Sequence, residues 1–178
     1  MNQSSFLEPY HSHNMINVAP VLKRCEVFVG LDDSDVQKIA SLSSWQRNTY
    51  KPGDYVFRQD ATANCFYVLE EGEISLLVTI QTDDPPDSIK DVPVDTVTTG
   101  DIFGWSSLVA PHSLTMSALC IKPSTVLIVS GTELVGLLDC NPAIGYEVMK
   151  GLVRVIGARF RDLRRRFANE DKTRETHR

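Results

Sequence analysis

Phe66-Tyr67-Val68-Leu69-Glu70-Glu71-Gly72-Glu73-Ile74 is the stretch that decides the fold: an apolar run, two acids, a glycine, and a second apolar run. Aromatic and β-branched residues fit a pleated, half-buried surface, and glycine accepts the positive φ of a tight turn, so the segment reads as two strands meeting at a corner. Similar frames surround Lys51-Pro52-Gly53-Asp54 and Thr99-Gly100-Asp101. Corners of this kind in a mainly β chain mark a compact roll. Gly104 differs. It opens Gly104-Trp105-Ser106-Ser107-Leu108, which can begin a helical turn and leave backbone N–H groups to face an anion.

Outward from these corners, alternation predicts strands over Trp45–Lys51, Asp54–Arg58, Cys65–Glu70, Glu73–Ile80, Val92–Val97, Thr115–Cys120 and Ser124–Ser130. Gln81–Asp91, with Asp83-Asp84-Pro85-Pro86-Asp87 inside it, reads as a solvated hairpin loop. Upstream, Val21, Leu22, Cys25 and Phe28 suit a short helix ending at Gly30, and Asp32 or Ser34 caps a second helix through Ser43. Downstream, Thr132 is the expected cap of a helix carrying Leu134, Val135, Leu137 and Leu138. Asn141-Pro142 opens a long helix over Ala143–Ala168, with Asn141 as N-cap. Its stripe of Met149, Leu152, Ile156, Phe160, Leu163 and Phe167 is expected to press on another helix or on the domain. Residues 1–17 read as a loose arm, 18–168 as one domain and 169–178 as a polar tail.

A chain of 178 residues can bury a real core. No apolar run approaches the roughly 20 residues that span a bilayer. The first residues lack the basic and apolar parts of a signal peptide, so a cytoplasmic, non-transmembrane protein is expected. The net charge of −5 conceals a division: residues 154–178 carry nine Lys/Arg against four Asp/Glu, and the rest carry nine against nineteen. An acidic body repels nucleic acid. The basic segment 159–166 alone could meet an anionic partner, such as RNA, DNA or acidic lipid; the plainer reading is a dimer helix whose cations complement its dipole. Cys25, Cys65, Cys120 and Cys140 stand singly in or beside apolar runs, as buried reduced thiols do. His11-Ser12-His13 precedes every predicted element, so no metal site is expected there. No Ser/His/Asp or paired-carboxylate arrangement is legible, and the chain does not read as an enzyme.

Taken in order, Phe28…Leu31, Tyr50-Lys51-Pro52-Gly53-Asp54, the Phe66–Ile74 frame and Gly100-Asp101-x-Phe103-Gly104 resemble the cyclic nucleotide-binding domain over about residues 20–168. That family supplies the sensor domain of bacterial catabolite-activator and Fnr-type regulators, of protein kinase A regulatory subunits and of gated channels. The resemblance implies a mainly β fold with flanking helices: an eight-stranded, jelly-roll-like β-roll, two N-terminal helices and a long C-terminal helix. It also implies a phosphate cassette, Phe-Gly-Glu followed some eight positions after the glycine by Arg. There the Arg and helix-start N–H groups hold the cyclic phosphate, and the Glu takes the ribose 2′-hydroxyl. Here Trp105 stands in place of the Glu and His112 in place of the Arg, while Asp60 and Ala63 replace two usual glycines. A charge-assisted hydrogen bond contributes about 1.5–3 kcal/mol, so losing the Arg costs roughly ten- to a hundredfold in affinity.

The candidate ligand-binding residues are therefore Gly104, Trp105, Ser106, Ser107, Leu108, His112, Ser113 and Thr115. No cofactor is required. The expected ligand is a small anion or an aromatic-ring compound, with cAMP or cGMP retained at weakened affinity. Signalling would pass through the long helix, by which the chain is expected to form a homodimer. The rival reading is a dimerising interaction module whose vestigial pocket Trp105 fills. The helix-turn-helix of the bacterial regulators is not found, so sequence-specific DNA binding is not expected.

Overall fold

The computed structural model describes the backbone of residues 16–82 and 88–175, with side chains through Arg165. His11, His13, His177, residues 83–87 and the Phe167 side chain lie outside the described residues. Among the described residues six antiparallel strands form the sheet: β1 (Gln46–Tyr50), β2 (Tyr55–Phe57), β3 (Cys65–Thr82), β4 (Ser88–Thr98), β5 (Ile102–Phe103) and β6 (Ser117–Ser130). Their order is β1-β6-β3-β4, with β2 on β6 and β5 on β3. The mainly β architecture with flanking helices stands as expected.

Six strands replace the expected eight because two predicted corners are crossings. Gly72 has the anticipated positive φ (107°), yet β3 passes straight through it. A Cβ at this position would lie 2.5 Å from the Pro123 carbonyl oxygen and 2.6 Å from Ser124 Cα, so glycine lets β3 pass against β6. The β3–β6 register shifts on both sides of Glu71 and again after Glu73. Pro123, which has no N–H to give a ladder, falls in that gap, and β6 is also continuous. The Ser124 hydroxyl stitches the crossing, accepting from the Glu73 N–H (3.1 Å) and donating to the Lys122 carbonyl (2.7 Å). The expected loop after Ile80 is shorter than predicted, since β3–β4 pairing continues to Thr82 and Ser88.

Alternation along the central strands divides the interior in two. Phe66, Val68, Leu127 and Val129 face the helices, where Leu22, Phe28, Ile39 and Trp45 complete one core. Leu69, Ile74, Leu76, Phe103 and Val126 fill the roll itself. Cys25 and Cys120 are buried as expected, and burial pushes the Cys25 thiol up to about 12; Cys65 is half-buried and Cys140 exposed, which departs from the expectation for all four.

The predicted first helix is divided into α1 (Ala19–Leu22) and a 3-10 turn over Glu26–Phe28. Asp32 caps α2 (Asp33–Ala40), accepting from the Asp35 N–H at 2.9 Å. Ser130, two residues before the expected Thr132, caps α3 (Gly131–Cys140) by accepting from the Glu133 N–H at 3.3 Å. The Glu133 carboxylate in turn takes the N–H groups of Ser43 (2.8 Å) and Ser44 (2.9 Å) and both their hydroxyls, tying α3 to the link between α2 and β1. Asn141 serves both helices: its side-chain amide donates to the Leu137 carbonyl at 2.9 Å and closes α3, and its own carbonyl accepts from the Gly145 N–H at 2.9 Å at the N-cap of the next helix, as expected. That helix, α4, runs from Pro142 to Glu175. Among the described residues no helix is long and apolar enough to cross a membrane.

The buried face of α4 is Ile144, Val148, Gly151, Leu152 and Val155. Among the described residues of the predicted stripe only Leu152 is fully buried; Met149 and Leu163 are half-buried, Ile156 is 37% exposed and Phe160 61%. Gly151 sets this rotation. It sits on the backbone of Val27, where a Cβ would touch the carbonyl oxygen and lie 2.9 Å from the carbonyl carbon. Gly151→Ala is therefore expected to destabilise the protein. Overpacking against backbone costs about 1–3 kcal/mol or more. Alanine's gain in helix propensity, at most ~1 kcal/mol, offsets only part of it. A lower urea midpoint at unchanged slope checks this; an unchanged midpoint would refute the close packing.

Candidate functional site

Phe103 ends β5 inside the roll, and Gly104 turns the chain left-handed (φ 68°, ψ 26°) into a 3-10 turn over Trp105–Leu108. No side chain fits at Gly104, because its Cβ would lie 2.5 Å from the Tyr67 ring. That ring stacks on Phe103 (centroids 5.2 Å apart) and meets Phe57 (5.1 Å), giving the turn a rigid aromatic floor.

The eight candidate residues separate at this turn. Gly104, Trp105, Ser106 and Thr115 line one cavity, together with Phe57, Leu76, Leu114 and Met116. Ser107 is buried and spends both donors on the turn: its N–H (3.2 Å) and hydroxyl (3.0 Å) go to the Gly104 carbonyl. Leu108 points into the helical core. Ser113 pairs with Thr62 in an isolated bridge, and His112 is exposed with its N–H on the Val109 carbonyl. Neither borders this cavity. Asp60 adopts the left-handed φ (65°) suited to the glycine that it replaces, and its N–H donates to the Leu114 carbonyl at 2.7 Å.

The cavity at the turn measures about 30 Å³. That is room for about one water. A second cavity of about 160 Å³ lies between α4 and the roll. Leu76, Trp105 and Met116 border both spaces, so the indole stands in the partition.

Arg159 reaches this partition from α4 and is the functional candidate that the sequence reading misplaced. Its side chain is only 17% exposed, whereas Arg161, Arg164 and Arg165 face solvent, so the basic face of the helix lacks its first member. The guanidinium lies 4.9 Å from the Trp105 ring centroid. Nη2 donates to the Ile102 carbonyl at 2.7 Å, and Nε faces Asp95 at 3.4 Å. Nη1 is buried without a hydrogen-bond partner among the described residues, a deficit of about 1–3 kcal/mol for a buried polar group. Burial lowers the proton affinity of the group, with Asp95, Asp101 and Glu26 opposing that shift. A signal was present in the sequence: Arg159 lies four and seven residues beyond Val155 and Leu152, on the buried face. Among the described residues no cluster of His, Cys, Asp and Glu could hold a metal ion.

Comparison with known proteins places this geometry. The family model of the cyclic nucleotide-binding domain matches residues 47–141. A structure of a candidate cyclic nucleotide-binding protein from Geobacter metallireducens is 27% identical, with a TM-score of 0.65 over 80% of this chain and 97% of that one. A cyclic nucleotide-binding domain from Methylobacillus flagellatus has a TM-score of 0.70 at 18% identity, over 88% and 83% of the two chains. The catabolite activator protein of Thermus thermophilus matches at 0.61 and 20% identity, over 82% of this chain and 63% of its own.

Two alanine substitutions separate turn geometry from packing. Gly53 has φ 93° with nothing near its missing Cβ, so Gly53→Ala costs about 1–2 kcal/mol of backbone strain alone. Gly104→Ala adds the clash with Tyr67 and is expected to cost about 1–3 kcal/mol more. Equal thermal midpoints for the two variants would show that the Tyr67 ring yields.

Proposed function

The chain belongs to the cyclic nucleotide-binding domain family, and from that premise we propose that it is a non-catalytic, cytoplasmic regulatory domain. It takes a small ligand, anionic or aromatic, at the roll and signals through α4. The observation that carries this reading is Trp105: one indole borders the cavity at the cassette turn and also meets the α4 guanidinium. A ligand that moves the ring changes what holds α4 on the roll, and so shifts the helix between positions. Gly104, Trp105, Ser106 and Thr115 form the proposed contact set, with His112 and Ser113 at its margin.

The output is a homodimer. Tyr146, Met149, Val153, Ile156, Phe160 and Leu163 recur at alternating spacings of three and four along α4. Tyr146 is 66% exposed, Val153 70% and Phe160 61%, so much of this heptad seam faces outward among the described residues, while Met149 packs on the helical core. The seam suits a second copy of α4 in a coiled coil. The exposed arginines beyond Phe160 stay available to an anionic partner. The small volume at the turn favours the rival reading, a dimerising module whose pocket the indole fills.

Titration of the full chain with cAMP, cGMP and inorganic phosphate, read by Trp fluorescence and calorimetry, decides between the two. The sensor reading expects at least one saturable response; silence from every probe would leave the filled-pocket module. Sedimentation velocity tests the seam. Val153→Glu is expected to convert a dimer to a monomer that still unfolds cooperatively, at a midpoint that no longer depends on protein concentration, and a wild-type chain monomeric at ~100 μM overturns the dimer.

A further inference from the structure

The far end of β3 has an edge that no strand among the described residues covers. β6 pairs with β3 only as far as Leu77↔Ser117, whereas β4 continues to Thr82↔Ser88. Gln59 stands in line with β6, its N–H on the Ser117 hydroxyl (2.9 Å), and its side-chain oxygen accepts from the Thr79 N–H at 2.8 Å. The Thr79 N–H therefore points away from β4, and alternation decides the rest. With no register shift between Thr79 and Thr82, the Thr79 C=O and both backbone groups of Gln81 face the same open side. They lie along a groove bordered by Arg58, Gln59, Asp60, Ile80 and Ile89.

Beside Gln59 stands a charge. Arg58 is exposed and makes no ion pair or hydrogen bond among the described residues, yet it is held in place: its guanidinium lies 3.3 Å from the Tyr55 ring centroid. The Tyr55 hydroxyl donates to Asp91 (3.1 Å), which also accepts from the Thr79 hydroxyl (2.7 Å). A guanidinium fixed by its face keeps its fork of donors for a carboxylate. Asp60 borders the same groove, so a second acid beside the first is disfavoured. Gln59 already fills the place where an added strand would accept from Thr79, so a strand laid on this edge stops there. A chain antiparallel to β3 reaches that end with its C-terminus; a parallel one would bring its N-terminal ammonium, which Arg58 repels.

We propose that this edge binds the C-terminus of a partner protein as an added antiparallel strand whose free carboxylate ends on Arg58. The third residue from the end exchanges both backbone hydrogen bonds with Gln81, and the last residue donates its N–H to the Thr79 carbonyl. The residue between them, opposite Ile80, turns its N–H and C=O away from β3. Ile80 (41% exposed) and Ile89 (72%) offer apolar contact to β-branched side chains. The groove shares no residue with the cavity at the Gly104 turn or with the one against α4, so the site stands whether or not a small ligand binds there.

The test follows backbone amide signals of the full chain by NMR during titration with the acetylated peptide Ser-Lys-Thr-Val-Val, its C-terminus free. Without peptide, the Gln81 N–H is expected to exchange with solvent faster than those of Ile80 and Thr82; the peptide is expected to shift it saturably and slow its exchange. Amidation of the peptide C-terminus, or Arg58→Met, is expected to weaken binding about tenfold, the loss of one charge-assisted hydrogen bond. Arg58→Met is expected to leave binding of the amidated peptide unchanged. N-Methylation of the last residue, or of the third from the end, is expected to cost about tenfold or more, and N-methylation of the residue between them less than about threefold. Arg58 is at the surface and the methylated peptides leave the protein unaltered, so a folding defect cannot imitate these patterns. Amide binding as tightly as acid, or equal losses at all three methylated positions, overturns the proposal. So does a response confined to the Gly104 turn, or no response at Gln81.

Discussion

A cation inside an apolar joint governs how α4 sits on the roll. Arg159 gives up most of its hydration to lie between the helix and the start of β5, a transfer that is unfavourable unless fixed partners replace water. Here the Ile102 carbonyl, the Asp95 carboxylate and the Trp105 face replace it, and one nitrogen is left over. Each partner comes from a different segment: the start of β5, the middle of β4 and the turn after Gly104. The guanidinium can keep this environment only while all three hold their places. Helix position, cassette geometry and strand pairing therefore depend on one another through a single side chain.

Behind that joint are two contacts where only glycine fits. At Gly72 the strands β3 and β6 pass so closely that any side chain would enter backbone. At Gly151 the helix α4 rests on the Val27 carbonyl in the same manner. The first bends the sheet into a roll, and the second fixes which face of α4 turns inward. With Gly151 against Val27, Val155 and Arg159 follow on the inner side, and Val153, Ile156 and Phe160 are carried outward. The burial of Arg159 and the exposure of the apolar seam thus share one steric origin.

What could be read from the residues divides along the same line. The β-roll, α2 with its Asp32 cap and the turn at Gly104 are local, and turn chemistry with period-two alternation specifies them. The extra strand breaks at Gly72 and Pro123 were misjudged because a positive-φ glycine looks the same in a hairpin and in a tight crossing. Serine before glycine outdid Thr132 as cap because Glu133 reaches back across ninety positions to Ser43, a constraint that local pattern does not carry. The helix stripe was legible as a helix but not in rotation: Met149, Leu152 and Ile156 satisfy a helical period as well as Val148, Leu152 and Val155 do. Only tertiary contact selects between them. Trp105 drew notice because it stands in an unusual place in a known pattern, whereas Arg159 was hidden among six other arginines of the same helix.

Ile156, Phe160 and Leu163 belong both to the larger cavity and to the outer seam of α4. That shared membership has thermodynamic content. If a second helix packs on those three side chains, it restricts their rotamers and alters the wall that a ligand meets; a ligand in the cavity alters the surface offered to the second helix. Linkage requires the two effects to be equal in free energy, whichever event comes first. The sign follows from packing. Phe160 is 61% exposed as it stands, so a ligand that supports its inner face leaves it better ordered for a partner. Ordering already supplied by one event need not be supplied again by the other, which makes the coupling positive. On the proposed function, occupancy would reach the seam without a large movement of α4, because Ile156, Phe160 and Leu163 would be both the wall that meets a ligand and the surface that meets a second helix.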